Sequence, residues 1–255
     1  MRTVKVYSLS AAVSPDGPIL RGRRPMWHAV TTRQRPTGIA SGADDVNMMH
    51  THGTTHVDAL CHIYMDDTLY NGHPSSALTP FRAQYRGVDN VGPIVGRGVL
   101  LNVAAWCGVE VLADAVPIEP SDLDACAAAE GVEVRPADIV LVRTGWWRLF
   151  SKGPAARDRF YAAESEPSGA ARGHWFRAHD AVALGADNPG VEAVRSWSDP
   201  LRLRHNVIWG FGGYLLEFLD LEALSRDRVY AFLFAATPLR IDGGIGSPIA
   251  PVAIE

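Results

Sequence analysis

Short, nearly unbroken apolar runs alternate along the chain with amphipathic and alanine-rich stretches. Residues 98–103 and 138–143 are compact apolar runs of the length expected for strands buried on both faces, and 229–235 is another with added aromatic content. Ser121 followed by Asp124 resembles a capping box opening an alanine-rich helix over 122–130, and Gly131 closes it. Residues 155–163 and 174–184 are further helical candidates. The pattern predicts an α/β fold. Residues 151–173 combine Gly153, Pro154, Pro167, Gly169 and Gly173 with many charges and no continuous apolar face, which predicts a short helix inside a surface excursion that could serve as a lid.

The 255 residues are 47% hydrophobic, enough for one large core, and neither an internal repeat nor a composition shift marks a boundary, so a single domain over 1–255 is expected. The net charge of −4 without any Lys/Arg run argues against nucleic acid as a partner. The N-terminus lacks the apolar core of a signal peptide and no run reaches the roughly 18 apolar residues of a membrane span. A cytoplasmic protein acting on a small-molecule substrate, with no membrane partner and assembled as a homodimer or homotetramer, is the expectation. Cys61, Cys107 and Cys126 are odd in number and irregularly spaced, which fits reduced thiols.

One short run carries the chemistry. His52-Gly53-Thr54-Thr55-His56-Val57-Asp58-Ala59-Leu60-Cys61-His62 concentrates three imidazoles and a carboxylate, the ligand types that borderline divalent metals prefer. On an extended strand His56 and Asp58 point the same way and can reach one ion. His52 then has to fold back, and Gly53 supplies a turn for it. Cys61 has the opposite parity and should face away. His62 would lie roughly 13 Å beyond Asp58 on a straight strand, so it is better placed as a nearby acid/base than as a ligand. Isolated His28, His73, His174 and His179 read as structural histidines, and His50 as a group that supports a ligand from behind. The glycines of Gly210-Phe211-Gly212-Gly213 lack the spacing of a dinucleotide turn, and neither a Gly-x-Ser-x-Gly elbow nor a phosphate-cradling loop occurs. Glu217 stands within the apolar run Tyr214-Leu215-Leu216-Glu217-Phe218-Leu219, where a carboxylate is costly unless paired or metal-bound.

The segment resembles the signature His-x-Gly-Thr-His-x-Asp-x-Pro-x-His of the cyclase-like metal-dependent hydrolases, which include bacterial kynurenine formamidase and isatin hydrolase. His52, Thr55, His56, Asp58 and His62 match; Thr54 stands in place of the Gly and Leu60 in place of the Pro, changes that bear on the loop's path. The similarity continues through Arg97-Gly98-Val99-Leu100-Leu101, Val140-Leu141-Val142-Arg143-Thr144-Gly145-Trp146, His205 with Glu217, and Gly246-Ser247-Pro248. The resemblance implies a swivelling β/β/α-type mixed sheet with surrounding helices. It also implies one or two Zn²⁺ or Mn²⁺ ions, with His52, His56 and Asp58 as primary ligands, His205 and Glu217 completing a second site, and His62 as catalytic acid/base. The activity implied is hydrolysis of a small, aromatic amide, formamide, lactam or lactone by metal-activated water. A cyclase or dehydratase of polyketide-like biosynthesis is the alternative, and a non-catalytic metal-binding protein a third reading. Trp146-Trp147 with Trp106, Trp175, Trp197 and Trp209 suggest an aromatic pocket.

Overall fold

The apolar runs become the middle of a mixed sheet because each strand there has side chains buried on both sides. The computed structural model describes residues 4–33, 42–162, 173–192 and 202–255. Its strands are β1 (Val6–Ser8), β2 (Trp27–Arg33), β3 (Gly42–Met48), β4 (His56–Asp58), β5 (Ile94–Leu101), β6 (Ile139–Val142), β7 (Ala183–Ala186), β8 (Tyr214–Glu217), β9 (Ala231–Ala236), β10 (Gly246–Pro248) and β11 (Val252–Ile254). Nine of them form one sheet in the order β1-β11-β9-β5-β6-β7-β8-β4-β10, and β2 pairs with β3 alone. The run β5-β6-β7-β8 is parallel, while β4 joins β8 and β10 antiparallel.

Two clusters sandwich this sheet. Val57, Leu100, Leu141 and Leu216 face one of them, and Val99, Leu101, Val140, Val142, Leu184 and Leu215 face the other. The period-two alternation puts neighbours of opposite parity on opposite faces, so strands that read as continuous apolar runs are buried twice over. Helix Pro120–Glu130 packs on the second face through Leu123, Cys126 and Ala127. Among the described residues no helix is long and apolar enough to cross a membrane.

The structure corrects several expectations. The helix expected over 174–184 is two elements: a helix over His174–Ala178, then the parallel strand β7. Ala183 and Leu184 pair with Ile139 and Val140, and that distant partner overrides the helical bias of an alanine-rich stretch. The helix over 120–130 is capped by Glu119, not Ser121, in a reciprocal box with Asp122, and Gly131 closes it in the left-handed conformation as expected. Residues 163–172 of the expected lid lie outside the described residues. What precedes them is anchored: helix Pro154–Phe160 places a fully buried Phe160 against Trp146, Leu149 and Phe218 in a third apolar cluster. The three cysteines are free thiols, Cys61 and Cys126 buried and Cys107 exposed.

Candidate metal centre

β4 is only three residues long, but its register fixes the centre. His56 sits opposite Glu217 and Val57 opposite Leu216, so both apolar partners enter the first cluster and both polar ones share the other face. Asp58, two residues from His56, joins them by parity. Thr55 secures the strand's entrance, since its hydroxyl donates to the Phe218 carbonyl at 2.6 Å and accepts from the Ala11 amide at 2.8 Å. Cys61 points into the first cluster, away from the centre, as its parity predicts.

His52 reaches back over the strand through a turn in which the Gly53 amide donates to the His50 carbonyl. Gly53 is needed there for close approach, because a Cβ would stand 2.9 Å from the His50 carbonyl oxygen. Gly246 on β10 matters more: a Cβ there would lie 2.5 Å from His52 Nε2, so only glycine leaves room for the ring above Asp58. Thr51 Oγ1 lies 3.1 Å from His52 Nδ1, and the Arg23 guanidinium donates to the His52 carbonyl.

The result is a group of ligand atoms from His52, His56 and Asp58 that lie within 4.8 Å of one another. His56 Nδ1 donates to the Thr54 carbonyl at 2.6 Å, which turns Nε2 inward toward Asp58 and Glu217. His52 Nε2 and His56 Nε2 stand 3.3 and 3.4 Å from Asp58 Oδ1, and His56 Nε2 stands 3.3 Å from Glu217 Oε2. None of His52 Nε2, His56 Nε2, Asp58 Oδ1 or Asp58 Oδ2 has a properly aligned hydrogen-bond partner, although all are buried. Buried groups of this kind are ordinarily satisfied. Metal–ligand bonds of about 2.1 Å at tetrahedral angles would separate ligand atoms by about 3.4 Å, so the spacing and the unsatisfied lone pairs both fit a divalent cation.

The electrostatics agree. Burial pushes the His52 imidazole down to about 3, against the pull of Asp58, so it is neutral and able to ligate. At His56 burial acts the same way but is outweighed by the Asp58 and Glu217 carboxylates, which raise it to about 9. Burial works against charge on Asp58 and Glu217 as well, yet the surrounding cationic groups hold both below the usual carboxylate range. A positive charge belongs among these four groups.

The strand turns immediately after Asp58. The His62 amide donates to the Ala59 carbonyl, and the straight path that would have carried His62 roughly 13 Å away does not occur. His62 Nε2 comes to 4.0 Å from Asp58 Oδ2, its ring stacks on His52 at 4.5 Å, and a quarter of its side chain reaches solvent. Glu217 is 2% exposed and adjacent to His56, and it lies on a strand. His205 opens a π-helical turn over His205–Gly210 and is not part of the three-ligand group. Sequence reasoning missed Arg204, whose Nη2 donates to Glu217 Oε1 at 2.6 Å.

Among the described residues the tryptophans do not gather into one pocket. Trp146 is buried in the third cluster, where Phe218 in turn packs against the His56 ring; Trp175 donates to Asp124 and Trp209 to Thr68, and Trp106 is exposed. Trp197 lies outside the described residues. His50 is exposed and accepts from the Arg24 amide rather than supporting a ligand. It lines a shallow surface recess with room for about one water beside the ligand loop, together with Val13, Ile19, Met26, Met49 and Thr54.

Comparison with known proteins now decides the family. The model of the putative cyclase family matches residues 7–193. The chain belongs to that family. Among solved structures, a novel cyclase is 28% identical with a TM-score of 0.90, over 100% of this chain and 90% of the other. Isatin hydrolase A from Labrenzia aggregata, bound to benzyl benzoate, is 20% identical with a TM-score of 0.73, over 98% and 93%. A predicted metal-dependent hydrolase from Bacillus stearothermophilus is 17% identical with a TM-score of 0.62, over 99% and 98%. These likenesses match the mixed sheet and surrounding helices of the cyclase fold. No curated protein matches by sequence.

Proposed function

We propose that the protein is a metal-dependent hydrolase of a small amide, formamide, lactam or lactone, with an aromatic substrate as the first class to test. The observation that carries this reading is the convergence of His52 Nε2, His56 Nε2 and Asp58 Oδ1 as buried, unsatisfied ligand atoms at metal-ligand spacing. A Zn²⁺ or Mn²⁺ held there supplies Lewis acidity for polarising a carbonyl and activating water.

The rest of the chemistry falls to the chain. Thr54 and Thr51 orient the two ligating imidazoles through their Nδ1 atoms, and Thr55 locks the strand that carries His56 and Asp58. His62 stands at the rim, within reach of both solvent and the buried carboxylate, where its Nε2 can take a proton from water and return it to the leaving nitrogen or oxygen.

The similarity to a novel cyclase favours a second reading, in which the same Lewis acid promotes ring closure or dehydration of a carbonyl compound. The test is a metal-replete activity screen over formanilides, isatin-like lactams, aryl lactones and open-chain polyketide mimics. Ring opening or amide cleavage that disappears on chelation supports the hydrolase. Turnover confined to the polyketide mimics transfers the assignment to the cyclase, and turnover that survives chelation rejects both.

A further inference from the structure

The notable neighbour of the metal ligands is an arginine. Glu217 presents Oε2 to His56 at 3.3 Å, while its other oxygen, Oε1, accepts from Arg204 Nη2 at 2.6 Å. The two side chains of that ion pair are 3% and 12% exposed. Glu192, itself 6% exposed, accepts at Oε2 from the amide of Leu203, the residue before Arg204. The guanidinium is thus held, largely buried, on the carboxylate that faces His56.

We infer that Arg204 takes the electrostatic place of a second cation, so that each chain binds a single divalent ion on His52, His56 and Asp58. This rests on the proposed metal-dependent function and goes beyond it by fixing the metal count and assigning a positioning residue.

Two observations converge on it. The first is charge: the two carboxylates nearest the ion, Asp58 and Glu217, are matched by one dication, and Arg204 adds a largely buried positive charge on Glu217. A second dication would leave an excess of positive charge in a buried site beside a guanidinium, and such an imbalance is heavily penalised in a low-dielectric interior. The second is geometry. A carboxylate that bridges two ions through both oxygens gives one to each, but Glu217 Oε1 is already committed to a short, charge-assisted bond with Arg204. Only Oε2 remains for the ion, and the arginine orients it there. The fixed plane of the guanidinium suits such a holding role better than a mobile ammonium would.

The test is metal stoichiometry, which does not depend on knowing the substrate. Protein stripped with chelator is titrated with Zn²⁺, and separately with Mn²⁺, by calorimetry, with the bound count read independently by native mass spectrometry. The wild-type chain is expected to take up one ion. Arg204→Gln, which frees Glu217 Oε1 and removes the positive charge, is expected to take up two, while Arg204→Lys stays at one. Two ions on the wild-type chain overturn the inference and leave the hydrolase reading intact, as does an Arg204→Gln variant that is folded by circular dichroism yet still binds one. No ion on the wild-type chain removes the metal-dependent function itself. If Arg204→Gln fails to fold, the wild-type count alone decides.

Discussion

Gly246 is glycine because His52 lies against it. The ring nitrogen that faces the ion is 2.5 Å from where a Cβ would be, and the Val57 carbonyl oxygen of the paired strand is 3.0 Å from it. Gly246→Ala is therefore expected to displace His52 and weaken metal affinity by on the order of 10- to 100-fold, as loss of an orienting contact does, with little change in the circular dichroism spectrum. Unchanged affinity by calorimetry would show that His52 is not a ligand. Within the motif the roles separate in the same way. Asp58→Ala should abolish metal uptake, whereas His62→Ala should keep the metal and lose about 100-fold or more in turnover; equal loss of metal in both would make His62 a ligand. Protonation gives a further handle. With His56 raised to about 9, the metal-free protein at pH 7.5 holds it as imidazolium, while His52, lowered to about 3, is already neutral. Binding must displace the His56 proton, so affinity should rise about tenfold per pH unit up to about pH 9, and calorimetry in buffers of different ionisation enthalpy should report one proton released. No proton release would mean that His56 does not ligate.

At the scale of elements, β4 is held less by its own three residues than by what Thr55 ties together. Its hydroxyl joins the Ala11 amide of the N-terminal segment to the Phe218 carbonyl just past β8. Thr55→Val keeps the shape and leaves both backbone groups buried without a partner, so a loss of about 2–4 kcal/mol in denaturant unfolding is expected; a loss below about 0.5 kcal/mol would show that the clasp contributes little. This level also shows what could be read from the chain alone. The strand at His56 and Asp58, its parity, the burial of Glu217 and the turn of Cys61 away from the ligands were legible, because a two-residue period and the cost of an unpaired carboxylate are local facts. The helix boundary at 178, the bend that returns His62 and the cap at Glu119 were not. β7 exists because β6 and β8 flank it, and both are remote in sequence. Arg204 gave no signal for the same reason: its partner, Glu217, is brought to it by the π-helical turn that separates them.

For the whole molecule, the nine-stranded sheet serves to bring residues 52–62, 204 and 217 to one place on its second face, where β4 meets the end of the parallel strands. Two-sided burial of β5, β6 and β7 makes the platform rigid, and the ligands stand on it through β4 and β8 rather than on a free loop. Such a platform can hold unsatisfied ligand atoms together before any ion arrives, at the cost of the mutual repulsion and desolvation that a cation then relieves. An anomalous difference map from crystals of the protein grown with Zn²⁺ or Mn²⁺ tests this most directly. The account predicts one strong peak per chain, about 2.0–2.3 Å from His52 Nε2, His56 Nε2 and an Asp58 carboxylate oxygen. No peak among those three atoms, or a peak confined to other residues, would contradict it.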